Sequence, residues 1–100
     1  MFSISDKISR HKLAEFCRTN HINKLSLFGS ALRDELKKNS DIDLLVEFEK
    51  GQVPGLLKLA GIEMELTELI GRKVDLRTPA DLSRYFRDEV VSKARIEYAA

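Results

Sequence analysis

The stretch Leu27-Phe28-Gly29-Ser30, then ten residues, then Asp41-Ile42-Asp43-Leu44-Leu45-Val46-Glu47-Phe48 decides how this chain is read. Successive side chains of a strand point to opposite faces. Over 41–48 that rule puts Ile42, Leu44, Val46 and Phe48 on one face and Asp41, Asp43, Leu45 and Glu47 on the other. The first set is apolar throughout and belongs to a core. The second begins with two carboxylates side by side. Upstream, 24–28 reads as a shorter strand, with Leu25 and Leu27 to one side and Ser26 and Phe28 to the other, and Gly29-Ser30 interrupts it.

Gly29-Ser30 stands at a strand-to-helix junction. Residues 31–38 carry Leu32 and Leu36 on one helical face, with Asp34 and Glu35 early and Lys37 and Lys38 late, the order the helix dipole favours. A helix N-terminus offers unpaired N–H groups and positive dipole to a phosphate. Gly29 lets the backbone approach closely, and the Ser30 hydroxyl adds a hydrogen bond. Asp41 and Asp43 supply hard oxygen donors suited to Mg²⁺, which binds through one or two carboxylates plus substrate phosphates. Asp75 sits between Val74 and Leu76 in a third short strand, 73–77, so its carboxylate faces away from the core. If that strand neighbours 41–48, three acids meet, and crowded carboxylates raise one another's pKa unless a cation intervenes. Singly, a Gly-Ser is commonly a turn, an Asp-x-Asp a solvated strand face and Asp75 an exposed polar position. Their combination and order carry the argument.

The flanking segments supply helices. Ser3 and Asp6 make a start signal for a helix over 6–20, with Ile4, Ile8, Leu13, Phe16 and Cys17 at helical spacing. Cys17 in that stripe reads as a small buried hydrophobe. Gly51, Pro54 and Gly55 mark a loop, and a helix over 56–70 ends at Gly71. It carries two apolar stripes, Leu56, Leu57, Ala60 and Met64, and Leu59, Ile62, Leu66, Leu69 and Ile70. So wide an apolar surface fits either a broad core face or a surface covered by a partner, and the second is favoured. Thr78-Pro79-x-Asp81 forms a cap. A last helix over 84–95 turns Phe86, Val90 and Ala94 inward, and Ile96 and Tyr98 add an edge strand. His11 and His21 lack metal-ligand spacing and read as surface residues. Arg72, Lys73 and Arg77 lie near the third acid and could serve nucleotide, partner or structure.

Composition bounds the rest. One hundred residues make one domain, 1–100. Lys+Arg number 17 and Asp+Glu 16, so direct nucleic-acid binding by a basic coat is not expected. Apolar runs of at most three residues exclude a membrane span, and the N-terminus lacks a signal-peptide pattern. A lone cysteine fits a reducing, cytoplasmic setting.

The pattern Gly29-Ser30-x(10)-Asp41-x-Asp43 resembles the signature of the DNA-polymerase-β-like nucleotidyltransferase superfamily. Arg33 matches the arginine that often follows Gly-Ser after two residues, and Gly71-Arg72-Lys73-Val74-Asp75-Leu76 resembles the segment bearing the third carboxylate. The small size and the continuation Leu44-Leu45-Val46-Glu47-Phe48 resemble the minimal nucleotidyltransferase (MNT) family. Asp34 departs from the glycine many members carry there. The resemblance implies an α/β (α+β) fold, a small mixed sheet flanked by helices. It implies ATP bound with Mg²⁺, two ions in all, by Asp41, Asp43 and Asp75. Gly29 and Ser30 would hold the β/γ-phosphates, Arg33 would clamp phosphate charge, and Asp75 would help deprotonate the attacking hydroxyl. It further implies AMP transfer to a hydroxyl of a HEPN-domain toxin, a tyrosine, with the chain acting as antitoxin in a hetero-oligomer. The alternative is a non-catalytic antitoxin that neutralises its partner by contact alone. A small-molecule modifier is a third reading, disfavoured because the chain has no room for an acceptor domain.

Overall fold

The computed structural model describes residues 3–29 and 40–100. Among the described residues, four strands are β1 (Ile22–Phe28), β2 (Ile42–Phe48), β3 (Val74–Arg77) and β4 (Arg95–Ala99). Three helices among the described residues are α1 (Arg10–Thr19), α2 (Leu56–Ile70) and α3 (Arg87–Lys93). The strands form one mixed sheet in the order β3-β2-β1-β4. The β1–β2 and β1–β4 pairs are antiparallel, and β2–β3 is parallel with α2 as its crossover. The expected third strand does therefore neighbour the second. This is an α+β arrangement of a small mixed sheet with helices.

The core face follows the alternation read from the sequence. Leu25, Leu27, Ile42, Leu44, Val46, Val74 and Leu76 are all buried, together with Leu13, Phe16 and Cys17 of α1 and Ile62, Leu66 and Ile70 of α2. Phe48 and Tyr98 pack against this cluster at its edge. The opposite face is not uniformly solvated: Leu45 and Ser26, which pair across the ladder, are also buried. Strand β1 begins two residues earlier than expected, at the buried Ile22, because His21 turns the chain with a φ of 57° and its carbonyl accepts from Glu49 N–H at 2.8 Å.

Two helix expectations are corrected. The Ser3 and Asp6 signal marks a separate 3-10 turn, Ile4–Asp6, and α1 starts only after Ser9, whose hydroxyl accepts from Lys12 N–H at 3.1 Å. The last helix is shorter than 84–95. Phe86 precedes it and is 61% exposed rather than turned inward. The reason is the anchoring of Arg87, which donates to the carbonyls of Pro79 and Leu82 at 2.8 and 3.1 Å and holds the preceding turn off the core. Thr78 and Asp81 do form the expected cap, but on a 3-10 turn, Pro79–Asp81, with the Thr78 N–H and hydroxyl both donating to Asp81 Oδ2 at 3.0 Å. Helix α2 has the expected bounds and closes on Gly71 at φ 81°, a left-handed cap that glycine adopts without strain. Among the described residues no helix is long and apolar enough to cross a membrane.

Candidate active site

Asp43 lies at the centre of a row across the sheet. Phe28 is its partner on β1 and Asp75 its partner on β3. Paired residues share a face, so the β2–β3 register places the two carboxylates side by side. Asp41, two residues before Asp43, lies just ahead of β2. Three polar contacts tie down the entry to these strands. Arg72 Nη2 donates to the Ser40 carbonyl at 2.8 Å, and Ile42 N–H donates to the Lys73 carbonyl at 2.8 Å. Lys73 Nζ approaches Asp41 Oδ2 at 3.9 Å. At the other side of the row, Arg77 Nη2 donates to Asp75 Oδ2 at 3.4 Å. All these side chains are partly solvated, so each ion pair is worth at most about 1 kcal/mol. Their effect is to hold cations where acids would otherwise repel one another.

Gly29, at the end of β1, closes the row from a third side. Its φ is +74°, and a Cβ placed there would run into the Asp43 carboxylate. Only a residue without a side chain lets the β1 terminus lie against that acid. The structure therefore sets Asp43 beside Asp75 and against Gly29, with Asp41 just ahead of β2. Ser30, Arg33 and Asp34, with the expected helix over 31–38, lie outside the described residues. Among the described residues no three carboxylate, imidazole or thiol side chains converge closely enough to hold an ion. The donor set is nonetheless hard oxygen on one face, the kind Mg²⁺ prefers.

Sequence reasoning missed Glu63 and Thr67 of α2. Val74 N–H donates to Thr67 Oγ1 at 3.0 Å, and Leu76 N–H donates to Glu63 Oε2 at 2.8 Å. These two side chains, one helical turn apart, satisfy the outward donors of β3 on either side of Asp75 and so block its open edge. Two polar positions four apart in an apolar helix were the available signal. Cys17 is fully buried and its thiol is pushed up to about 12 by desolvation, which rules it out as a nucleophile here. His11 and His21 are exposed, as expected.

The sequence profile described as "Nucleotidyltransferase domain" matches residues 10–98. The chain belongs to the nucleotidyltransferase domain family. Relatives within that family carry more specific names. A Methanocaldococcus jannaschii protein provisionally named a protein adenylyltransferase is 34% identical over 85 residues, 85% of this chain and 89% of that protein. The protein adenylyltransferase MntA of Thermococcus cleftensis is 44% identical over 55 residues, 55% of this chain and 54% of its own length. A solved structure of a provisionally assigned minimal nucleotidyltransferase is 33% identical with a TM-score of 0.69, covering 85% of both chains. A toxin–antitoxin crystal structure with AMP-PNP shares the fold at a TM-score of 0.73 and 21% identity, over 93% of this chain and 75% of that one. The protein is a nucleotidyltransferase, and its relatives are named for adenylyl transfer to protein.

Proposed function

We propose that this chain moves AMP from ATP to a tyrosine hydroxyl of a HEPN-domain toxin, with Mg²⁺, and thereby acts as its antitoxin in the cytoplasm. The observation that carries the reading is the parallel register that sets Asp43 against Asp75, with Gly29 closed onto Asp43. The partner class is supported by two fold relatives: the toxin–antitoxin structure above, and a tri-AMPylated Shewanella oneidensis HEPN toxin bound to MNT antitoxin, at a TM-score of 0.63 and 20% identity over 90% of this chain and 69% of that one.

Asp41, Asp43 and Asp75 would hold Mg²⁺, which when bound supplies charge neutralisation for the attacking and leaving oxygens. Gly29 and Ser30 would present backbone N–H groups and a hydroxyl to the β- and γ-phosphates. Arg33 would clamp phosphate charge. Asp75, at the outer end of the row, would accept the proton of the incoming hydroxyl. That oxygen forms the new bond to the α-phosphorus as the bond to the β-phosphate breaks, and pyrophosphate leaves.

The test incubates the chain with ATP labelled in the α-phosphate, Mg²⁺ and the HEPN-domain protein of the same operon or, where there is none, a host lysate. The expected result is a labelled protein band, mapped to tyrosine, that disappears with Asp43→Ala and with chelator. No label, with toxin binding intact in both proteins, would replace the transfer reading with neutralisation by contact.

A further inference from the structure

The two tyrosines of the chain, Tyr85 and Tyr98, stand in opposite settings. Tyr98, on β4, packs against the core cluster. Tyr85 is 78% exposed. Its place follows from the topology. Strands β3 and β4 are the two edges of the sheet, so residues 78–94 carry the chain from one edge to the other. Helices α1 and α2 fill the core face, and no residue of 78–94 belongs to that cluster. The 3-10 turn Pro79–Asp81 instead packs on β2. Leu45 and Ser26, on the face that bears Asp43, are buried outside the core cluster. The connection therefore crosses the acid face, and Tyr85 stands on the same side of the sheet as Asp43 and Asp75.

The turn that carries Tyr85 is fixed. Phe86 N–H and Arg87 N–H donate to the Ser83 carbonyl at 3.0 and 2.9 Å, and Arg87 is anchored to Pro79 and Leu82. Tyr85 N–H donates to Ser83 Oγ at 3.3 Å. The phenol oxygen meets a cation: Arg84 Nη2 donates to it at 3.0 Å, and the guanidinium lies 5.0 Å from the ring centroid. Among the described residues Arg84 has no carboxylate partner. A guanidinium on a phenol oxygen favours negative charge developing there and pairs with a phosphate that joins it. The other hydroxyls of the connection, Thr78, Ser83 and Ser92, are weaker acids, and each is engaged in a bond within its own turn.

We propose that Tyr85 is itself an acceptor: the chain transfers AMP from ATP bound in one copy to the Tyr85 hydroxyl of a second copy. This rests on the transferase reading of the acid row. Tyr85 Oη forms the new bond to the α-phosphorus, the bond from that phosphorus to the β-phosphate oxygen breaks, and pyrophosphate leaves. The phenolic proton passes to Asp75 of the copy that holds the ATP. Transfer runs between copies because so exposed a ring rests on Arg84 and not on its own acid row. Two copies meeting acid face to acid face about a twofold axis present each Tyr85 to the other's row, with Arg84 against the bound triphosphate.

The experiment incubates the chain alone with Mg²⁺ and ATP labelled in the α-phosphate. Four samples are compared: wild type, Tyr85→Phe, Asp43→Ala, and a mixture of Tyr85→Phe with an affinity-tagged Asp43→Ala. Thermal midpoints check that each variant folds, as an exposed position such as 85 should allow. Wild type is expected to gain one AMP, mapped to Tyr85 by mass spectrometry. Tyr85→Phe is expected to lose that label while still labelling the HEPN-domain protein of the preceding test. Asp43→Ala is expected to stay unlabelled alone and to be labelled in the mixture. An unlabelled wild type that does label the HEPN-domain protein overturns this proposal and leaves the proposed function standing. Label mapped to another residue, or a tagged Asp43→Ala chain that stays unlabelled in the mixture, also overturns it. Label on Tyr85 with none on the HEPN-domain protein supports it and refutes the toxin as acceptor. No label on either protein refutes both.

Discussion

The two faces of β2 are written in the same seven residues and are placed by different forces. Ile42, Leu44 and Val46 are fully buried, and their energy comes from removing apolar area from water. Asp43, between them, gains nothing from burial. It is set beside Asp75 by the parallel ladder and against Gly29 by the end of β1. The difference teaches that burial of the core-face residues supplies stability, whereas the place of Asp43 is set by strand register and by Gly29. Two aspartates in register on neighbouring strands and a left-handed glycine are arrangements a fold does not need, held in place by neighbours that it does.

That contrast breaks cleanly under substitution. Asp43→Ala should lower adenylyl transfer on the order of a thousandfold, about 4 kcal/mol of barrier, with a smaller effect on the thermal midpoint than a core truncation. Leu44→Ala, one residue away, should cost about 3 kcal/mol of stability in a denaturant titration while the fraction that remains folded keeps its activity. Gly29→Ala sits on the boundary and should lose on both counts. Its φ of +74° and the carboxylate in its path predict about 1–2 kcal/mol of destabilisation, and transfer should fall because Asp43 must shift. The smallest effect belongs to the sheet edge. Glu63→Ala should cost about 1 kcal/mol by leaving Leu76 N–H unpaired, with faster hydrogen exchange confined to β3.

Much of this contrast was legible before the fold was known, and the exceptions have physical reasons. Period-two alternation in 41–48 and 73–77 is a local signal, so both faces of β2 and β3 were readable, and α2 carried its own stop in Gly71. The register of β2 against β3 is not local. Only the conditional statement, that three acids meet if the strands are neighbours, was available. The start of α1 was misplaced because Ser3 and Ser9 are equally good caps, and Ile4 and Ile8 are both buried whichever one begins the helix. Phe86 was misjudged because its turn is held by Arg87 reaching back to two carbonyls, a contact no periodicity encodes. Glu63 and Thr67 were missed for the same reason, since an edge strand's needs show only once its neighbours are known. The places of Gly29, Asp41, Asp43 and Asp75 are seen, whereas Ser30 and Arg33 rest on the resemblance of their spacing.

The central claim is that Asp43 and Asp75, thirty-two positions apart, act as one site for a metal-bound nucleotide. The most direct measurement is the gain in thermal midpoint on adding MgATP to wild type, Asp43→Asn, Asp75→Asn and, as a control, the exposed Asp6→Asn. Ligand binding to the folded state stabilises it by mass action, so the gain reports the site without requiring an acceptor. The prediction is a gain in wild type and Asp6→Asn that is lost in both Asp43→Asn and Asp75→Asn. A full gain retained by Asp75→Asn would contradict the shared site and reduce the acid row to an accident of register.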